Sequence, residues 1–101
     1  MSLTAQVIVH TISLIITFDP NKNTSNFEKH GVPLSLAELF DWDSASTWPD
    51  VRQSYAESRQ ISLGYIGKRL FNVVYVDRLF VRRVISLRKA NQREINRYAQ
   101  T

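Results

Sequence analysis

Apolar and polar positions alternate in three consecutive runs in the second half of the chain. Arg59 to Ile66 sets Arg59, Ile61, Leu63 and Tyr65 on one side of a strand. Leu70 to Val76 is the most apolar run and reads as the central strand of a sheet. Phe80 to Leu87 alternates again and carries β-branched Val81, Val84 and Ile85, which favour a pleated surface. Gly67-Lys68 makes a hairpin turn between the first two runs, and Asp77-Arg78 turns into the third. The three strands form an antiparallel meander. A helix follows from about Lys89, with Ile95, Tyr98 and Ala99 as its packing side.

The first half is patterned differently. Ile12 to Phe18 reads as a strand, with His10 beside it. The wider apolar stretch Val7 to Phe18 is interrupted by His10, Thr11, Ser13 and Thr17, and is shorter than the ~20 residues needed to cross a bilayer, so no membrane is implied. Asp19-Pro20 starts a helix, with Asp as N-cap and Pro at the first helical position. Lys29-His30-Gly31 ends it, with cations in the last turn and Gly as the stop. Ser35-x-x-Glu38 is a capping box that opens a second helix running to Asp41, whose apolar face is Leu36, Leu39 and Phe40. Asp43 to Ser58 is the longest loop, and Trp42 and Trp48 cover the core edge. The order predicts an α+β fold: a small antiparallel sheet, made of an N-terminal strand plus a three-stranded meander, with two N-terminal helices and a C-terminal helix gathered on one side. The uncovered sheet face forms a shallow groove.

Charge sharpens that picture. The 101 residues carry a net +4, which hides an asymmetry. Through Glu57 there are 3 Lys/Arg against 7 Asp/Glu; from Ser58 onward there are 10 against 2. A basic half on a small domain is the footprint of a polyanion binder. Arg82 and Arg83 are adjacent inside an apolar strand. Consecutive strand residues face opposite ways, so one must enter the covered side and needs a partner there, while the other makes an open anion site. Lys89, Arg93 and Arg97 recur every four residues as a cationic stripe on the last helix.

The residue types limit the chemistry. No cysteine is present, which removes thiolate nucleophiles, disulfides and Cys-type zinc sites and fits a cytoplasmic setting. Two histidines do not make a histidine metal cluster, and there is no phosphate-cradling glycine loop or nucleophile elbow. No metal or cofactor is implied. Arg, Lys, His, Glu, Ser and Tyr remain, a set that suits metal-free RNA cleavage, where the 2′-hydroxyl of the substrate is the nucleophile. His30 or Glu57 then serves as base or acid. Arg59, Arg83 and Arg88 clamp the phosphate, and Ser86 donates a further hydrogen bond. Lys29 and His30 equally suit a plain helix terminus.

Several short motifs then fall in an order that resembles the BrnT toxin family. Phe18-Asp19-Pro20 with Lys22, Asn26 and Lys29-His30-Gly31-Val32 looks like its opening, and Phe40-Asp41 like its next helix end. Glu57-x-Arg59 with Ile61 and Gly64 looks like its second strand. Arg83 to Ala90 with Glu94 and Tyr98 resembles its closing strand and helix, with Leu87 where alanine is commoner. The resemblance spans about residues 16 to 98 and leaves 1–12 as an N-terminal extension of a single domain, 1–101. It implies a RelE-like fold and an endoribonuclease toxin of a bacterial type II toxin–antitoxin pair that inhibits translation. Its partners are an RNA substrate and a BrnA-like antitoxin with a ribbon-helix-helix domain, with operator DNA reached through the antitoxin. The implied catalytic positions are His30, Glu57, Arg59, Arg83 and Ser86; Lys29, Arg88, Lys89 and Arg93 would bind substrate. In a regular strand Arg83 and Ser86 face opposite ways, so only a bulge lets both line one groove. The competing expectation is a non-catalytic nucleic-acid or antitoxin-binding module acting as corepressor.

Overall fold

The computed structural model describes residues 14–101. Its elements are β1 (Ile15–Thr17), α1 (Pro20–His30), a 3-10 helix (Leu34–Leu39), β2 (Ser46–Pro49), β3 (Gln60–Ile66), β4 (Arg69–Arg78), β5 (Val81–Lys89) and α2 (Gln92–Ala99). The expectations for His10 and for an extension over residues 1–12 lie outside the described residues, as does the start of the strand placed at Ile12.

The sheet has five strands in the order β1-β5-β4-β3-β2. β1 runs parallel to β5; the other pairs are antiparallel. The meander is present and the fold is α+β as the patterning implies, but the N-terminal strand joins parallel to β5, so the sheet is mixed and not the wholly antiparallel one expected. β2 corrects the expected loop. Its four residues pair with β3, placing Trp48 opposite Ile61. A short edge strand with one large apolar side chain and a terminal proline carries almost no periodic signal. β4 is also longer than expected: Asp77 and Arg78 pair with β5, and the turn falls at Leu79-Phe80.

α1 forms as its caps dictate. The Asp19 carboxylate accepts from the Asn21 and Lys22 amides, and Gly31 closes the helix at φ 77, a left-handed conformation in which glycine is unstrained. The second helix departs from expectation. It is a 3-10 turn without a side-chain cap, and the Ser35 N–H is taken by the Asn23 side chain of α1 instead. α2 begins at Gln92, with Asn91 and Glu94 in a reciprocal capping box. Lys89 therefore belongs to β5, and the expected stripe through Lys89, Arg93 and Arg97 is not formed.

The helices divide between the two faces of the sheet, another departure. The 3-10 helix and the chain around it cover one face, packing Leu34, Ala37 and Phe40 on Phe71, Val73, Tyr75, Val84 and Leu87. A Cβ on Gly64 would lie 2.6 Å from the Phe40 ring, so the close approach of Phe40 to β3 requires glycine there. α2 crosses one end of the opposite face, setting Ile95 and Tyr98 on Leu63 and Leu70. Among the described residues no helix reaches the other end of that face, which is open. Among the described residues no helix is long and apolar enough to cross a membrane.

Candidate active site

β5 decides which cations are available. Ladder register skips one residue between Val74/Ser86 and Tyr75/Val84, so Ile85 is a bulge. Arg83 opposite Val76, Ser86 opposite Val74 and Arg88 opposite Asn72 then share the face that carries α2. The bulge removes the parity conflict between Arg83 and Ser86.

Arg82 turns to the covered face, as one of the adjacent arginines must. Its guanidinium stacks 4.5 Å from the Trp42 ring and 4.2 Å from the Tyr75 ring. Asp77 takes both of its forward N–H groups at 2.7 and 2.8 Å. Arg83 keeps a looser contact, 3.9 Å from the Asp19 carboxylate, and its side chain is 54% exposed.

The open end of the sheet holds a cavity of about 340 Å³ lined by Tyr55, Glu57, Arg59, Val76, Arg78 and Arg83 among others. Ala56 and Ile85 complete it. Three of the expected catalytic residues are thus brought together. Arg59 lies 4.1 Å over the Tyr55 ring and, among the described residues, has no carboxylate partner. Glu57 is gripped by Arg78, whose Nε donates at 2.6 Å and whose terminal nitrogen donates to the other oxygen. The hydrogen bonds from Arg78, with the charges of Arg78 and Arg83, hold the Glu57 carboxyl below its ordinary pKa. It is ionised at neutral pH. With three guanidinium groups against one carboxylate, the pocket carries net positive charge and fits an anion.

His30 reaches this region from the edge of β5. β1 pairs only with Val81, Arg82 and Arg83, which leaves the later backbone of β5 uncovered. Asn26 takes over there: its amide donates to the Leu87 carbonyl at 2.8 Å and accepts from the Leu87 N–H, and it also donates to the Val32 carbonyl at 2.8 Å. Lys22, Asn26, Lys29 and His30 share one side of α1 by helical spacing. They line a second cavity of about 250 Å³, which meets Ile85 as well. The bulge residue thus touches both cavities. Burial, then the charges of Lys29 and Arg88, hold the His30 pKa below 6.5. The imidazole is therefore largely neutral at pH 7, able to accept a proton.

The remaining expected contacts are placed elsewhere. Arg88 makes a bidentate pair with Glu94 of α2 at 2.8 Å on each arm, and Asn72 donates to the same carboxylate. Lys89 lies opposite Phe71, toward the face of the 3-10 helix. Arg93 is exposed on α2. Arg97 of the expected stripe stacks 3.6 Å over Trp48. Two side chains in the open cavity were not anticipated. Arg78 sits in what reads as a turn and carries no sequence signal, because its partner Glu57 is 21 residues away; Tyr55 lies in a polar loop with no periodicity, and its only signal is proximity to Glu57 and Arg59. That loop is held by Asp50, whose carboxylate is buried and accepts from Arg52 and Tyr55. The Arg52 hydrogen bond pulls its pKa down to about 2.

A family model described as "Ribonuclease toxin, BrnT, of type II toxin-antitoxin system" matches residues 18–94. The match runs from the residue before the Asp19 cap to the carboxylate that holds Arg88. No curated protein matches the chain.

Proposed function

The chain belongs to the BrnT family, ribonuclease toxins of type II toxin–antitoxin systems, and on that premise we propose that it is a metal-independent endoribonuclease with a RelE-like fold, acting at the open end of its sheet. The observation that carries this reading is the gathering of Glu57, Arg59 and Arg83 in one positively charged cavity, with His30 across Ile85.

Arg59 and Arg83 hold the non-bridging oxygens of the scissile phosphate and stabilise the charge of the phosphorane. His30 removes the 2′-hydroxyl proton, and the 2′-oxygen bonds to phosphorus. The bond from phosphorus to the 5′-oxygen breaks, and that oxygen leaves with a proton returned by the imidazolium or by solvent. The products are a 2′,3′-cyclic phosphate and a 5′-hydroxyl. Glu57 is a weak base because Arg78 stabilises its anion, so its role is to fix Arg78 beside the substrate. Ser86, on the same face as Arg83, adds a hydrogen bond to the phosphate. Lys29 supplies charge at the α1 edge of the path. Cutting RNA in this way would inhibit translation in the cytoplasm. The antitoxin would be BrnA-like, with a ribbon-helix-helix domain that carries the complex to operator DNA.

The test is cleavage of an RNA oligonucleotide by the antitoxin-free protein in excess chelator, with end-group analysis. Cyclic phosphate ends, and protection by a 2′-deoxy substitution at the cut position, are expected. A requirement for divalent metal contradicts the reading. Salt-sensitive RNA binding without products would instead mark the binding-module alternative.

A further inference from the structure

Large apolar side chains stand in solvent around the tip of the β4–β5 hairpin. Ile15 is 58% exposed, Leu79 93% and Phe80 60%. With Val76 and Val81 they line a groove of about 530 Å³ whose polar rim is formed by Thr17, Arg78 and Arg83. Leu79 holds φ 53, a left-handed conformation that strains every residue with a β-carbon and is ordinarily filled by glycine or asparagine. A leucine in that position contributes almost no packing to its own chain. An apolar cluster of this kind, rimmed by charge, is the mark of an interaction surface.

The groove is continuous with the candidate active site. Val76, Arg78 and Arg83 line both cavities. Whatever occupies the groove therefore stands beside Arg83, which holds the scissile phosphate in the reading above, and beside Arg78, which Glu57 fixes next to it. Only Phe80 offers a ring on which an RNA base could stack; Ile15, Val76, Leu79 and Val81 are aliphatic, which suits an apolar protein side chain better than a base. The arginine rim argues for carboxylates. The family supplies a protein partner, the antitoxin of a type II pair.

From these observations, and resting on the toxin reading above, we infer that the antitoxin seats an apolar side chain among Ile15, Leu79 and Phe80 and brings a flanking carboxylate onto Arg83. Neutralisation is then competition for one arginine, anchored by an apolar contact next to it. The apolar part supplies affinity that salt does not screen, and the ion pair supplies occlusion of the site.

The experiment measures antitoxin affinity by calorimetry, together with melting temperature and sedimentation, for wild type, Phe80→Asp and Phe80→Leu. A carboxylate in the groove should weaken the antitoxin at least tenfold, while leucine keeps most of the affinity. RNA cleavage by free Phe80→Leu should equal that of wild type, and cleavage by Phe80→Asp should resist inhibition by the antitoxin. Wild-type affinity in a folded Phe80→Asp variant overturns the inference. So does a wild-type dimer that Phe80→Asp converts to a monomer with affinity unchanged, which assigns the groove to a second copy. A variant with lower melting temperature and unchanged affinity assigns it to the chain's own packing. The binding readout needs no catalysis, so absence of cleavage in wild type would refute the ribonuclease reading and leave the groove to be judged on affinity.

Discussion

Arg83 and Arg88 stand on the same strand and the same face of the sheet, yet they live in different electrostatic surroundings. At the Arg88 end α2 covers the sheet and supplies Glu94, which is also held by Asn72 and by the Asn91 amide. Burial works to raise the pKa of Glu94, but the hydrogen bonds from Arg88 and Asn91 bring it below its ordinary value. That arginine is structural capital of the helix–sheet joint. At the Arg83 end no helix among the described residues covers the sheet, and the carboxylate paired with it, Asp19, stands off at 3.9 Å and is already the cap of α1. Arg82 makes the same point from the other face, where two aromatic rings and Asp77 enclose it. Availability of a cation is decided by what lies over it, not by the residue or its strand.

Four changes break or sharpen that contrast. The largest effect is expected from Arg83→Ala, which should lower the cleavage rate by about 10² to 10³-fold, as loss of an oxyanion-stabilising donor does, with little change in melting temperature. Single-turnover cleavage beside thermal melting checks it. Next is Asn26→Ala, which strips partners from Leu87 and Val32 and should destabilise by roughly 2–3 kcal/mol on denaturant unfolding. Because Asn26 pins α1 to the β5 edge, cleavage should fall too, in contrast with a purely structural site.

Lys29→Gln has a smaller, signed effect. His30 titrates below 6.5, so cleavage should rise with pH through that lowered pKa and level off near neutrality. Removing the Lys29 charge raises the pKa, so the acid limb of the pH–rate profile moves up toward 6.5. A limb that stays put would remove His30 as the base. The smallest effect is expected from Asp50→Asn in acid. Asp50 titrates at about 2 when folded and near 3.8 when unfolded, so its stabilisation is complete above 3.8 and is lost as pH falls toward 2. Wild type should therefore lose melting temperature over that window more steeply than the variant.

The sequence made some of this legible, and the reasons are local. Asp19-Pro20 and Lys29-His30-Gly31 bracket α1 because cap chemistry acts over one turn. The split fates of Arg82 and Arg83 follow from strand alternation alone. β2 was hidden because a four-residue edge strand ending in proline has no period to detect. Ser35 and Glu38 have capping-box spacing, but Asn23 of α1 claims the Ser35 amide, a tertiary contact no local rule foresees. The Ile85 bulge, which brings Arg83 and Ser86 to one face, is a property of pairing with β4 and has no signature in β5 itself. The stripe through Lys89 failed because Asn91 caps the helix two residues later, leaving Lys89 in the strand. Glu94 was visible only as a helix residue; its hold on Arg88 needs the helix folded onto the sheet.

The most direct measurement is cleavage by Arg83→Ala and Arg88→Ala side by side, per folded molecule, well below both melting temperatures and at a pH well above 6.5. Removing Arg88 leaves Glu94 without its guanidinium and should destabilise by about 1–3 kcal/mol while cutting RNA at close to the wild-type rate. Removing Arg83 should leave stability intact and slow cutting by about 10² to 10³-fold. The reverse pattern, a stable and active Arg83→Ala with a folded but inactive Arg88→Ala, would contradict the account and move the site to the end of the sheet beneath α2.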